Sequence, residues 1–390
     1  VWKIESNING GYTIYNEATQ KYVSYTGSSN HSYAVSSVSG ASERWNISYS
    51  TSLFVLTNAA STTRNLRYNI SAPRFACYTS SQQNLTLYKL VTPTWTGATS
   101  TDWNTASNWN PATVPTSTDN VIIPSSGISN FPVSTGLTID AGKTVTLNAN
   151  ANLTVNGTLT NNGTLTLESG ATLVQGTASN LAGTGGTYTV KQAVTGANDG
   201  SNNPNGRFWY LGSPVSVASS SVYFGNANNV LKWRNEATNS WTTVASGTPE
   251  NLVVGQGYYT QAMDNATINF TGGSLNNGTI NISNLTRTAG QSFEGFNLVS
   301  NPYPSYLDWD QVTKTNVGNT MWYRSHNGTS MVFDTYVPGV NGGIGTGTNL
   351  NGTGGVSNLI PPMQSFWVRV NSESSTGSLT VNNDMRSHFT

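Results

Sequence analysis

From Leu137 to Leu173 all but five of the odd-numbered positions are apolar, and none of the 18 even-numbered positions is. A single strand of these 37 residues would run about 120 Å at roughly 3.3 Å per residue, far beyond an ordinary strand, so the chain turns several times inside the window. A two-residue hairpin loop pairs residue i with i+3, and paired residues share a face, so each such turn would swap the parity of the apolar set. A hairpin closed at Asn156-Gly157 would set Thr154 against Leu159, which the pattern forbids. Short strands winding in one direction keep the parity, with Leu, Val and Ile inside and Thr and Asn outside. The run predicts a short parallel β-solenoid.

The rest of the chain is also β. Thr, Tyr, Val, Trp and Phe favour pleated surfaces, and no long stretch carries a 3.6-residue apolar period. Charged residues are only 9% of the 390, against about 25% in ordinary globular chains. Lys plus Arg and Asp plus Glu both number 17, so no net basic field exists to draw nucleic acid or anionic lipid, and neither partner is expected. No apolar run is long enough to span a membrane as a helix, so membrane insertion is not expected either. The single Cys77 excludes an intrachain disulfide and a Cys-based zinc cluster, and is expected as a buried residue of the strand Arg74–Tyr78.

Three blocks follow. Residues 1–90 carry a duplication with a shift of 42 to 43 residues: Trp2-Lys-Ile4 returns as Trp45-Asn-Ile47, and Tyr12–Asn16 as Phe54–Asn58. Repeats of about 40 residues built from paired strands predict a small trefoil-like barrel, with Trp2 and Trp45 expected in its core. Two repeats are an incomplete trefoil. Either a first repeat precedes Val1, which the abrupt start favours, or a smaller barrel is closed by Leu85–Leu90. Residues 91–190 form the solenoid, with Trp95, Trp103 and Trp109 expected to plug its open end and Val121–Pro124 as its first inward strand. In 191–390, strands at 207–212, 230–234, 257–261, 267–271, 279–283, 297–300, 321–324, 365–370 and 378–381 predict a β-sandwich. The stretch Gly339–Gly355 is expected to be a long loop.

Catalysis needs acids, bases or nucleophiles gathered closely enough to tune one another, and such gatherings are scarce. His31, His326 and His388 stand in different neighbourhoods, and there is neither a His-Glu-x-x-His motif nor a Gly-x-Ser-x-Gly elbow. Asp308 and Asp310 flank Trp309 and would share a face in a strand, but acids of glycosidases come from separate strands across a cleft. A strand end followed by a turn is the expected role. The Asx-rich loop around Asp199 offers one carboxylate where calcium prefers several, so turn chemistry is expected there. No catalytic residue, metal site or cofactor is expected. Aromatic platforms for sugars remain, and in the first block the candidates are Tyr22, Tyr25, Tyr33, Tyr68 and Tyr78.

Three phrases carry a resemblance. The stretches 297–309 (NLVSNPYPSYLDW), 360–370 (IPPMQSFWVRV) and 207–214 (RFWYLGSP) resemble the region preceding the sorting domain in large cell-surface proteins of Bacteroidetes exported by the type IX secretion system. The segment Trp95–Pro124 with its Asn-Gly-Thr ladder is similar to stalk segments of such proteins, and residues 1–90 resemble their lectin-like modules. The resemblance implies an extracellular or outer-surface location in a Gram-negative bacterium and carries over no catalytic residue. The sorting domain expected after Met385-Arg-Ser-His388 does not follow in this chain. The resulting expectation is a non-enzymatic adhesion or structural protein, binding a carbohydrate or cell-surface polymer or self-associating into fibres. The alternative is the accessory C-terminal region of a secreted hydrolase whose catalytic domain lies upstream. On either reading the solenoid is a rigid spacer between two modules.

Overall fold

A computed structural model describes residues 2–50, 53–87, 91–196, 206–224, 230–326, 331–339, 344–345 and 355–389. The loop expected at Gly339–Gly355 and the loop around Asp199 fall largely outside them. The chain is all-β, with four short 3-10 turns and no α-helix among the described residues. It divides into two compact units, Val1–Val91 and Thr92–Thr390.

The first unit is an antiparallel sheet of β1 (Trp2–Ser6), β2 (Tyr12–Asn16), β3 (Lys21–Ser24), β4 (Tyr33–Val35), β5 (Arg44–Ser50), β6 (Leu53–Asn58), β7 (Asn65–Asn69) and β8 (Arg74–Tyr78). The duplication survives in the strand register. Ile4 opposite Ile14 returns as Ile47 opposite Leu56, and Val23 opposite Ala34 as Leu66 opposite Cys77. The sheet curls, so that Cys77 N donates to His31 O in the segment leading into β4 (3.2 Å). Leu85 bridges to Phe54 much as Trp45 pairs with Tyr12 in the first copy. Cys77 is buried in its strand, as expected. Trp45 is fully buried and donates its indole N–H to Val23 O (3.1 Å), but Trp2 is 55% exposed, which corrects its expected place in the core. The reason is topological: β5 lies between β2 and β6, whereas β1 pairs with β2 alone among the described strands.

The second unit begins with β9 (Thr94–Trp95) and β10 (Trp109–Asn110), which pair with each other and extend the first solenoid face. Three coils follow: β11 (Val121–Ile123), β12 (Val133–Ser134) and β13 (Leu137–Ile139); β14 (Thr144–Leu147), β15 (Asn152–Val155) and β16 (Leu159–Asn161); β17 (Thr164–Leu167), β18 (Thr172–Gln175) and β19 (Leu181–Ala182). Corresponding strands pair in parallel, so Val121, Val145 and Leu165 stack inward while Thr144 and Thr164 stack outward. Two of the odd positions that break the apolar run, Gly157 and Gly163, are where coils approach closely. A Cβ on Gly157 would lie 2.0 Å from Thr135 O, and one on Gly163 2.4 Å from the carbonyls of Asp140 and Lys143. Asn161 points inward and is satisfied, accepting from Gly163 N and donating to Thr187 O. Trp95, Trp103 and Trp109 are buried against one another at the open end, with ring centroids 4.7 to 6.4 Å apart.

The sequence-drawn division at 190 falls inside a strand. β20 (Thr187–Val194) continues the solenoid sheet and is covered along its length by an antiparallel strand from further on. That region holds β21 (Arg207–Leu211), β22 (Leu231–Asn235), β23 (Ser240–Thr243), β24 (Tyr258–Ala262) and the covering strand β25 (Ala266–Thr271). One hydrophobic core runs from Trp95 through the coils to Phe270, Leu275 and Met363. The solenoid is therefore not a separate rod. A second core lies between the sheet β27-β34-β30-β31-β32 and the sheet β26-β35-β29, with β33-β28-β36 beside them. Their ranges are β26 (Ile280–Thr286), β27 (Phe296–Ser300), β28 (Tyr306–Asp308), β29 (Thr313–Thr315), β30 (Met321–His326), β31 (Met331–Val337), β32 (Ile344–Gly345), β33 (Leu359–Ile360), β34 (Ser365–Arg369), β35 (Thr376–Val381) and β36 (Arg386–Ser387). This arrangement is sandwich-like and occupies only the later part of the block drawn from 191.

Candidate functional site

The five tyrosines of the first unit do not form one site. Tyr25 is fully buried, its hydroxyl donating to Gly27 O and Ser29 O, and Tyr78 is also a core residue. Both are corrected from ligand candidates to packing, because each sits where the curled sheet closes on itself. Tyr22 is half-buried against Tyr15 and lines a shallow hollow with Glu5, Asn7 and Thr13. Tyr33 is exposed and bonded to His31, and Tyr68 packs on Phe75. Asp308 and Asp310 end a strand, as expected: Asp308 accepts from Asp310 N, Gln311 and Asn358, and Asp310 accepts from Tyr336 Oη. Among the described residues no group of three His, Cys, Asp or Glu converges to hold a metal ion, and no helix is long and apolar enough to cross a membrane.

The concave aromatic site lies in the second unit. Residues i and i+2 of a strand share a face, as do directly opposed residues of neighbouring strands. In the sheet β21-β24-β22-β23, Trp209, Leu211, Tyr258, Leu231 and Trp233 face the solenoid core. The other face therefore carries Phe208 and Tyr210 from β21, Tyr259 from β24, Lys232 and Arg234 from β22, and Trp241 from β23. In the five-stranded sheet, Val299, Phe366, Val368 and Met321 face the second core. Its opposite face carries Phe296, Trp322, Arg324, Phe333 and Trp367. These two outward faces enclose a cleft of about 760 Å³, with Phe293 at its rim, 62% exposed.

The walls are fixed at their base by backbone. Leu211 bridges to Gln364 and Gln256 to Val299, and Gly212 N donates to Met363 O (2.8 Å). Trp241 meets Trp367 edge-on, with ring centroids 5.8 Å apart and planes at 87°. Glu236, in the turn after β22, ties the first wall to the segment leading into β27. It accepts from Thr286 Oγ1 (2.8 Å), Thr288 N (2.9 Å), Thr288 Oγ1 (3.0 Å) and Gly295 N (2.8 Å). Burial works against its charge, but these bonds outweigh it and hold the carboxyl below its usual range. A cleft held at both ends loses little freedom on binding.

Electrostatically the cleft is one-sided. Lys232, Arg234 and Arg324 line it, and among the described residues no carboxylate does. Arg324 lies over Phe333 (5.0 Å from the ring centroid) and Arg369, beside the cleft, over Phe296 (5.0 Å). Burial raises the Tyr210 phenol above its ordinary range against the pull of Arg324, so it is a neutral donor at pH 7. Trp367 is 8% exposed and its indole N–H has no acceptor among the described residues. Rings, cations and phenol donors suit reversible binding of an extended polar ligand with apolar faces.

The reading of the sequence missed this site because it looked for platforms in the first block. A signal was present: Phe208-Trp-Tyr210, Trp322-Tyr323 and Phe366-Trp367 put aromatics at consecutive strand positions, and consecutive residues point to opposite faces. One core can take only half of such rings. No curated protein and no solved structure matches the chain. Residues 94–390, which hold the whole cleft, match the family described as a domain of unknown function, DUF8693, and the chain belongs to that family.

Proposed function

We propose that the chain is a non-enzymatic extracellular or cell-surface protein that binds a carbohydrate polymer in the aromatic cleft, with the solenoid as the rigid mount of one wall. The observation that carries this reading is the cleft itself: two sheets with sound cores on their inner faces spend a second set of aromatic side chains on a shared outer hollow. Exposed rings of this kind cost solubility unless they are used. Pyranose rings present apolar C–H faces that stack on aromatic side chains, while Tyr, Trp and Arg donors meet their hydroxyls. The resemblance of 207–214, 297–309 and 360–370 to exported Bacteroidetes surface proteins supports a place outside the cell by the type IX route.

A glycan array probed with the full chain and with Trp241→Ala tests the reading. The intact chain is expected to bind at least one polysaccharide, and the variant to bind it about two- to tenfold more weakly, since a stacked ring contributes about 0.5–1.5 kcal/mol. Tyr22→Ala and Tyr33→Ala are expected to leave binding unchanged. If no glycan is bound, or if the tyrosine variants abolish binding while Trp241→Ala does not, the cleft is not the site.

A further inference from the structure

We propose that the ligand is an acidic polysaccharide built of uronic acid residues, its sugar rings resting on the open aromatic faces of the cleft and its carboxylates on the cations that stand among those rings. This rests on the reading of the cleft as a carbohydrate site and adds the chemical class. The argument is the pairing. Lys232 lies directly across from Tyr259, Arg234 from Trp241 and Arg324 from Phe333, and at the margin Arg369 lies across from Phe296. Every cation of the cleft is thus the cross-strand neighbour of a ring, at the side-chain spacing of about 5 Å that neighbouring strands impose.

The charges are also available. Lys232 and Arg324 have no hydrogen bond or ion pair to a carboxylate among the described residues, whereas Arg234 donates to Asn239 Oδ1 and feels the charge of Glu236, so Lys232 and Arg324 are the charges open to a ligand. In a chain with equal numbers of acidic and basic residues, a hollow lined by three cations and, among the described residues, by no acid selects for an anion. A uronic acid bears its carboxylate on the pyranose ring, so a stacked ring brings the charge to the ring's edge, where these cations stand. In a nucleotide the phosphate is separated from the stacking base by a pentose. Single-stranded nucleic acid also binds rings and cations together, but a chain with no net positive charge lacks the basic field that such binding draws on.

The test is titration of the full chain, followed by tryptophan fluorescence, with polygalacturonate, alginate, fully methyl-esterified polygalacturonate and poly(dT). A Lys232→Gln/Arg324→Gln variant, checked by its unchanged melting curve, is titrated alongside. Expected are binding of an acidic polymer, at least tenfold weaker binding of the ester, and a similar loss in the double variant. Equal affinity for acid and ester, no effect of the double variant, or no binding of either acidic polymer would overturn the acidic class. Tighter binding of poly(dT) than of either uronate would overturn it in favour of a nucleic acid. Because the ester keeps its rings and loses its charge, and Trp241→Ala removes a ring and keeps the charges, failure of this inference is distinguishable from failure of the carbohydrate reading.

Discussion

At the scale of single residues, two ionisable groups, the partly buried His388 and the buried Glu236, hold the second unit together, and pH separates them. His388 sits between Thr154 Oγ1 (2.9 Å) and Thr172 Oγ1 (2.6 Å) on the solenoid, tying the C-terminal segment to it. Burial, reinforced by the nearby Arg386, pushes its imidazole down from 6.5 to about 4. The folded state therefore resists a proton that the unfolded chain accepts. Its contribution is complete above the unfolded pKa and is lost as pH falls from 6.5 towards 4. Urea unfolding is expected to show roughly 1.5 kcal/mol lost between pH 6.5 and 5, and a His388→Gln variant to lose almost none over that interval. Glu236 acts lower. Its carboxyl is held below the usual range, so its contribution is present above about 4.5 and disappears as pH falls through its folded value. Glu236→Gln keeps the shape but weakens charge-assisted bonds, and at pH 7 is expected to cost about 2 kcal/mol in the same assay. Neither role was visible in the sequence, because a histidine near a terminus and a glutamate in a turn look like surface residues until distant segments close over them.

At the scale of elements, the sequence was most informative where one periodicity meets one core. The parity of 137–173 specified inward and outward faces of the solenoid, and the strands expected at 207–212, 297–300 and 365–370 lie within a residue or two of β21, β27 and β34. Two of the breaks in the parity, Gly157 and Gly163, are close approaches between coils. Gly163→Ala is a direct test: its methyl would press on the carbonyls of Asp140 and Lys143, which belong to backbone and cannot rotate away. Overpacking of this kind costs about 1–3 kcal/mol, expected as a lowered melting temperature with an unchanged far-ultraviolet spectrum. What periodicity could not reveal was partnership. Phe208, Trp241, Phe296 and Trp367 lie far apart in the chain, and their shared hollow exists because β21 and β34 are bridged through Leu211 and Gln364. Trp2 and Trp45 make the same point in the first unit, where equal positions in a repeat have unequal numbers of neighbouring strands.

At the scale of the whole molecule, the division that matters is where cores end, and composition marks this poorly. The polar stretch after Val194 looks like a linker, yet β25 returns from beyond it and pairs with β20 from Thr189 to Val194. That pairing removes an exposed edge that would otherwise recruit strands from other chains. It also puts Tyr188, Val190 and Val194 in one core with Ile268 and Phe270. The sandwich is bound to the solenoid as well: Arg386, fully buried, donates to Leu173 O (2.7 Å), to Gln175 Oε1 (3.3 Å) and to Ser305 Oγ (2.9 Å), over the ring of Tyr303. A fragment of residues 92–390 is therefore expected to fold by itself, with a single cooperative melting transition. A fragment of 92–196 has its coils but neither β25 nor the Arg386 contacts, and is expected to associate or to melt without cooperativity. Sedimentation and calorimetry on the two fragments decide the matter. If 92–196 proved monomeric and cooperative, the solenoid would be an independent spacer after all, and the cleft wall built on it would be free to move with respect to the other, losing the preorganisation on which tight binding depends.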